Sequence, residues 1–206
     1  MKDILLLGKK ILADQSKVLK RFRTGEDFLE DWEDKGGIWT SEDGWLVGAE
    51  RGNRGGILLS RDSFADDVML IFTAASILPA TRDVNAVYRA VWDEEENYLK
   101  SGYVSGLNGW YDHKSGIERF PENGLNATTT LYRYTPGQKV RLCTGAVGGH
   151  NFLVADDTLI CELIDPNPVS GGHVGFSPYC TKLRIKDVEV RQIYAEKRNQ
   201  NYQPEF

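Results

Sequence analysis

From about residue 38 to residue 193 the apolar residues recur with a period of two, in short runs punctuated by glycine and aspartate. "WTSEDGWLVG" sets Trp39 before a Glu-Asp-Gly turn and Trp45 and Val47 after it, which predicts a hairpin. "GGILLS" predicts a short strand. "DDVMLIFTAAS" alternates Val68, Leu70 and Phe72 against Met69 and Ile71, so both faces of that strand are expected to be covered. "VNAVYRAVW" alternates Val84, Ala86, Tyr88 and Ala90 against Asn85, Val87, Arg89 and Val91, which places Asn85 and Arg89 on one face. Further strands are predicted at "SGYVSGL", "TTTLYRY" and "KVRLCTG". In the last regular stretch Leu183 and Ile185 fall on odd positions but Val188 and Val190 on even ones. One extra residue at Lys186-Asp187 restores a common facing, the sequence form of a β-bulge.

"NFLVADDTLICELI" interrupts an apolar run with Asp156 and Asp157. Adjacent carboxylates admit a metal or acid/base reading. Aspartate also tolerates turn conformations and bonds its own backbone, so a hairpin turn is the stronger reading. "IDPNPVSGGHVGF" then reads as a loop leading into a strand at Val174. Only "ADQSKVLKRF" and "GEDFLEDWED" come near a helical period. Short strands, 21 glycines and 11% aromatic residues predict an all-β fold, an antiparallel β-sandwich. The expected organisation is a short N-terminal segment, 1–23, with a helical option, a sandwich domain, 24–193, and a loosely held polar tail, 194–206.

Composition narrows the partners. At 206 residues the chain suits one domain. A net charge of -5 leaves no basic field for phosphates, so neither nucleic acid nor an anionic membrane surface is expected. Lys17, Lys20, Arg21 and Arg23 read as decoration of a solvated segment. Cys143, Cys161 and Cys180 cannot all pair and match no zinc spacing, and Cys143 and Cys161 are expected as buried free thiols. The apolar run in "MKDILLLGKKIL" is too short for a signal peptide, and nothing is long enough to span a bilayer, so a cytoplasmic protein is expected. A homo-oligomer stays open.

The order of the pieces carries a resemblance. A hairpin, an Asp-Pro loop, the strand "GGHVGF" at 171–176 and the closing "LRIKDVEVRQI" at 183–193 resemble the C-terminal half of concanavalin A-like jelly rolls. "DFLEDWEDKGGIWTSEDGWLV" is similar to their opening. The likeness is to bacterial laminin-G-like domains, the 3-keto-disaccharide hydrolase domain and YesU-type proteins, and it spans most of 24–193. It implies a jelly roll that handles a carbohydrate or glycoside. β-Glucanases of this fold carry carboxylates at alternate positions of one strand. In "WDEEENY" Asp93, Glu94, Glu95 and Glu96 are consecutive, which fits a solvated turn better than a retaining pair.

Candidate chemistry gathers between residues 85 and 119. Asn85, Tyr88, Trp110, Tyr111 and Arg119 are the expected substrate contacts, since aromatic faces stack on sugar C–H patches while planar polar groups bond hydroxyls. If the resemblance extends to reaction, the chemistry is elimination from a 3-keto glycoside. His113 or Glu118 would then be the base, Tyr103 the acid and Arg89 the electrostatic partner of the enolate, with a divalent metal ion as an optional electrophile. Each residue has a plainer reading. His113 fits a solvated loop, Arg89 and Glu118 a cross-strand ion pair, and Trp110 and Tyr111 a covered sheet edge. His150 and His173 each follow a glycine pair and could meet across strands, but without a placed carboxylate they make no metal site. The alternatives to a glycoside hydrolase or lyase are a non-catalytic carbohydrate-binding jelly roll, with or without calcium, and an accessory subunit.

Overall fold

The computed structural model describes residues 1–50, 56–121 and 124–198. In chain order the strands are β1 (Ile4–Leu6), β2 (Lys9–Ile11), β3 (Lys17–Arg21), β4 (Trp32–Gly36), β5 (Ile38–Glu42), β6 (Trp45–Ala49), β7 (Ile57–Ser60), β8 (Val68–Ser76) and β9 (Val84–Asp93). They continue with β10 (Tyr98–Trp110), β11 (Lys114–Phe120), β12 (Asn126–Thr129), β13 (Val140–Val147), β14 (His150–Ala155), β15 (Thr158–Ile164), β16 (His173–Phe176), β17 (Lys182–Gln192) and β18 (Ala195–Lys197). All pairings are antiparallel. One sheet runs β12-β11-β10-β9-β16-β7-β4, and the other runs β15-β14-β13-β8-β17-β6-β5 with β3 also on β17. The fold is an antiparallel β-sandwich, as the alternation predicts, and of the jelly-roll kind that the resemblance implies.

Local chemistry sets the turns. Asp43 and Gly44 both have positive φ (51° and 76°) and close the β5–β6 hairpin. Asp156 and Asp157 do the same for β14–β15, at 46° and 64°, and Asp156 also accepts the Arg141 N–H at 2.9 Å. That carboxylate pair is a turn. On β17 the pairing with β8 slips between Lys186 and Glu189, with Asp187 at φ 54°. The bulge lets Leu183, Ile185, Val188 and Val190 all enter the core.

That core lies between the sheets. Trp32, Leu58, Ala86, Val174 and Phe176 come from one side and Leu46, Leu70, Phe72, Leu142 and Ile185 from the other. Phe72 meets Phe176 edge-on with centroids 5.1 Å apart. A second apolar layer packs on the far side of the eight-stranded sheet. There Ile4, Leu6 and Ile11 cover Met69, Ile71, Cys143, Phe152 and Val154. The cover is a small sheet, β1-β2-β18, which explains why β8 is apolar on both faces.

Four expectations change. The tail expected to be loosely held, 194–206, begins with β18 paired to β2, and its residues 199–206 lie outside the described residues. The 1–23 segment is β1, β2 and β3 and not a helix, because Gly8 at φ 72° closes a hairpin and Ile4 and Leu6 alternate onto the sheet. "GEDFLEDWED" holds one 3-10 turn, Phe28–Glu30, before β4. "TTTLYRY" is strand only as far as Thr129. Beyond it Leu131 is exposed, while the Tyr134 hydroxyl turns inward, accepting Ser76 N–H at 2.8 Å and donating to Gln138 O at 2.9 Å. Cys143 and Cys161 are buried free thiols, and Cys180 is an exposed one.

Candidate functional site

The outer face of the seven-stranded sheet follows from the alternation. Trp32, Leu58, Val174, Phe176, Ala86 and Tyr88 point into the core, so Glu33 and Lys35, Leu59, His173 and Val87 point away from it. Strands β7 and β16 are only four residues long, whereas β9 and its partner β10 run on past them. A hollow of about 210 Å3 is left at the end of the short strands, bounded by β4 on one side and the β9–β10 hairpin on the other. Its walls carry Glu33, Lys35, Trp92, Glu94, Ser63 and His173, with Gly171 and Gly172 beside them.

Lys35 organises the polar side. Its Nζ lies 2.8 Å from Glu33 Oε1 and 2.6 Å from Glu94 Oε1. The lysine side chain is 9% exposed while the carboxylates are 45% and 73% exposed, so a buried cation holds two accessible anions. The hydrogen bond from Lys35 holds the Glu33 carboxyl below its ordinary range against the opposing effect of burial, and the charges of Lys35, Arg61 and His173 add to it. Burial works against the charged Lys35 ammonium, but the bonds to Glu33 and Glu94 outweigh it and raise its pKa. Glu94 belongs to the hairpin turn, where Asp93 Oδ1 accepts the Glu95 and Glu96 N–H groups at 3.1 Å.

His173 Nδ1 lies 2.7 Å from Ser60 O. A carbonyl only accepts, so Nδ1 carries the hydrogen, and Nε2 is the nitrogen left to accept when the ring is neutral. The glycine pair before it has a steric reason. A Cβ at Gly172 would lie 2.5 Å from Ala90 O and one at Gly171 2.3 Å from Phe64 O, so the backbone approaches β9 and the Phe64 loop only without side chains. The Trp92 indole N–H is buried without a hydrogen-bond acceptor.

The residues expected from sequence do not converge. Tyr88 and Tyr103 are opposite each other in register and face the sandwich interior, their rings stacked at 5.3 Å. Tyr103 donates to Asp165 Oδ2 at 2.7 Å and Tyr88 to Asn151 Oδ1 at 3.1 Å. Burial pushes both hydroxyls up, so neither is primed to give a proton near neutrality. Arg89 is a correction to simple alternation. The β9 pairings with β10 and β16 are bulged around it, its φ is 49°, and its guanidinium bonds Asp66 O at 2.9 Å and Val169 O at 3.0 Å. It shares no ion pair with Glu118, which instead accepts from the Trp110 indole at 2.9 Å. Arg119 reaches Asp165 at 3.1 Å and joins the Tyr103 network. Asn85 is buried at the start of β9, Tyr111 is exposed, and His113 lines a separate hollow with Asn108, Tyr132 and Arg133.

His150 and His173 lie in different sheets, and His150 pairs with Glu162 at 2.7 Å. Among the described residues no three His, Cys, Asp or Glu side chains converge as a metal cluster. Sequence reasoning missed Glu33, Lys35, Trp92 and Glu94. Their only local signal was the acidic turn after Trp92, and their meeting depends on long-range pairing.

No family model and no curated protein matches the chain. Solved structures do. The carbohydrate-binding module CBM66 from Bacillus subtilis superposes with a TM-score of 0.60 at 20% identity, covering 78% of this chain and 95% of that one. A Bacillus subtilis protein of unknown function with a galectin-like fold gives 0.68 at 13%, covering 86% and 96%. The PL7 alginate lyase from Zobellia galactanivorans gives 0.52 at 12%, covering 75% and 80%. At these identities the likeness is one of fold.

Proposed function

We propose that this protein is a carbohydrate-directed jelly roll that takes a sugar in the hollow between β4 and the β9–β10 hairpin. The observation that carries the reading is the Glu33–Lys35–Glu94 triple beside Trp92 and His173. Sugars present hydroxyls in fixed directions next to apolar C–H patches. Two anchored carboxylates and an imidazole Nε2 accept from hydroxyls, while an indole supplies an apolar edge. The fold-level likeness to a carbohydrate-binding module and an alginate lyase agrees with this reading without deciding between binding and turnover. Trp110 and Glu118 remain outlying candidates. Glu118 lies opposite Val104, on the same outer face, and extends it toward β11.

Conventional two-carboxylate hydrolysis fits poorly. A general acid needs a raised pKa, and Lys35 keeps Glu33 low. The second reading is proton abstraction, as in elimination from a 3-keto glycoside. The Nδ1 bond of His173 favours it, because that bond fixes Nε2 as the base. Calorimetric titration with a panel of neutral and uronate oligosaccharides, and of 3-keto glycosides, tests both readings. Trp92→Ala is expected to weaken binding about tenfold or more, roughly 1.4 kcal/mol. Absence of binding to every glycan, or binding indifferent to Trp92→Ala, contradicts the proposal. His173→Ala that binds a 3-keto glycoside but no longer turns it over supports the second reading, and binding by the wild type without turnover removes it.

A further inference from the structure

The small sheet covers the outer face of the eight-stranded sheet only over Met69, Ile71, Cys143, Phe152 and Val154. Phe72 and Ala74 enter the core, so the outward residues of β8 beyond Ile71 are the small Thr73 and Ala75. Register sets cations on either side of them. Lys186 of β17 stands opposite Thr73, Thr73 opposite Arg141 of β13, and Arg184 of β17 opposite Ala75. With strands about 4.8 Å apart, Lys186 and Arg141 share this face with their backbones roughly 10 Å from each other. Thr73 and Arg141 also line a hollow of about 520 Å3, where Arg21 and Arg191 stand with Asp187 and Glu189.

What holds these cations decides what they can do. Glu189 takes Arg191 at 2.6 Å and Arg21 at 3.5 Å. The others are gathered by an indole. Trp45 faces outward because its neighbour Leu46 enters the core, and its ring centre lies 4.7 Å from Lys186 Nζ, 4.9 Å from Arg184 Cζ and 5.3 Å from Lys139 Nζ. Those distances keep any two of the three within about 10 Å of each other, about one Debye length. An aromatic face positions a cation without neutralising it. Among the described residues no carboxylate comes within 4.0 Å of Lys139, Arg141 or Arg184, and Asp187 stands 3.8 Å from Lys186, beyond hydrogen-bond reach. Glu42 and Asp43 share a neighbouring hollow with Trp45 and Arg184. The Arg184 Nε is buried without an acceptor.

We propose that this uncovered part of the sheet is a second binding surface, for a small soluble polyanion carrying phosphate groups. It would bridge Arg141 and Lys186 over Thr73, beside Arg184 and Lys139. Several cations left without carboxylates call for several negative charges, and a guanidinium pairs two N–H groups with phosphate oxygens. The indole is engaged by cations, so the surface reads charge and not the apolar patches of a sugar ring. A net charge of -5 opposes a long polyanion, whereas a local field still draws a small one. The whole-chain charge conceals this field, because its cations come from β3, β17 and the start of β13. The proposal is independent of the sugar reading, whose hollow lies on the other sheet.

Calorimetric titration of the full chain with tripolyphosphate, at about 0.05 M and about 0.5 M NaCl, tests it. The wild type is expected to bind at the lower salt and to weaken roughly tenfold or more at the higher, since the contacts are between charges. Arg141→Gln combined with Lys186→Gln is expected to keep the thermal midpoint within about 2 °C and to weaken binding about tenfold or more. Lys100→Gln removes a lysine from β10, on the other sheet, and is expected to bind as the wild type does. No binding at the lower salt overturns the proposal. A double variant that binds like the wild type also overturns it, as does an equal loss in Lys100→Gln, which would trace binding to overall charge.

Discussion

Lys35 shows how one residue can set the behaviour of a site. Its ammonium is the first cause of Glu33's low pKa and the shared partner of Glu33 and Glu94. A carboxyl held below the ordinary glutamate value makes its contribution above that value, and loses it as pH falls through the lowered one. The Glu33 contribution to sugar binding should therefore hold down through the ordinary glutamate range and fall only in stronger acid. Lys35→Met releases Glu33 toward its ordinary value, so the acid fall should move to higher pH in a binding titration. It should also weaken binding at neutral pH, because the two carboxylates lose their common anchor. An unchanged pH profile in Lys35→Met would separate Glu33 from recognition. Tyr103 makes the opposite point: its residue type suits acid catalysis, but its position in the core assigns it to Asp165.

At the scale of elements, what was legible in the sequence is what local chemistry decides. Asp43-Gly44 and Asp156-Asp157 stand between alternating runs, and both become hairpin turns. The change of parity at Lys186-Asp187 becomes the β17 bulge. The second irregularity, at Arg89, left no such mark, because tyrosine, arginine and alanine all fit an alternating strand. Asn85 and Arg89 therefore looked like neighbours on one face and are not. The N-terminal strands were hidden for a related reason. Three-residue strands carry too little pattern to compete with a helical reading, and their role as a cover depends on residues 193 to 197 returning to meet them. This cover contributes as a core does. Leu6→Ala should cost about 2–4 kcal/mol, lowering the urea midpoint with little change in slope, if the small sheet unfolds together with the sandwich. A cost near zero would mean that β1 frays independently.

Across the whole molecule the two faces of the sandwich have different fates. The eight-stranded sheet is partly covered by β1, β2 and β18, whereas on the outer side of the seven-stranded sheet Leu59, Val87 and Ala90 are buried by side chains of the same sheet, Trp92, Val104 and Phe120 among them. Glu33 and Glu94 line the hollow on this side, and Asp93, Glu95 and Glu96 share the hairpin turn with Glu94. That charge favours neutral sugars over uronates, since repulsion across about a Debye length weakens an anionic chain at ordinary salt. The most direct test of the account is backbone hydrogen exchange with and without a saturating oligosaccharide found to bind. Slower exchange is predicted at residues 32–36, 91–95 and 171–173, which are far apart in sequence and adjacent only around this hollow. Protection confined to residues 108–118, with these three segments unchanged, would contradict it.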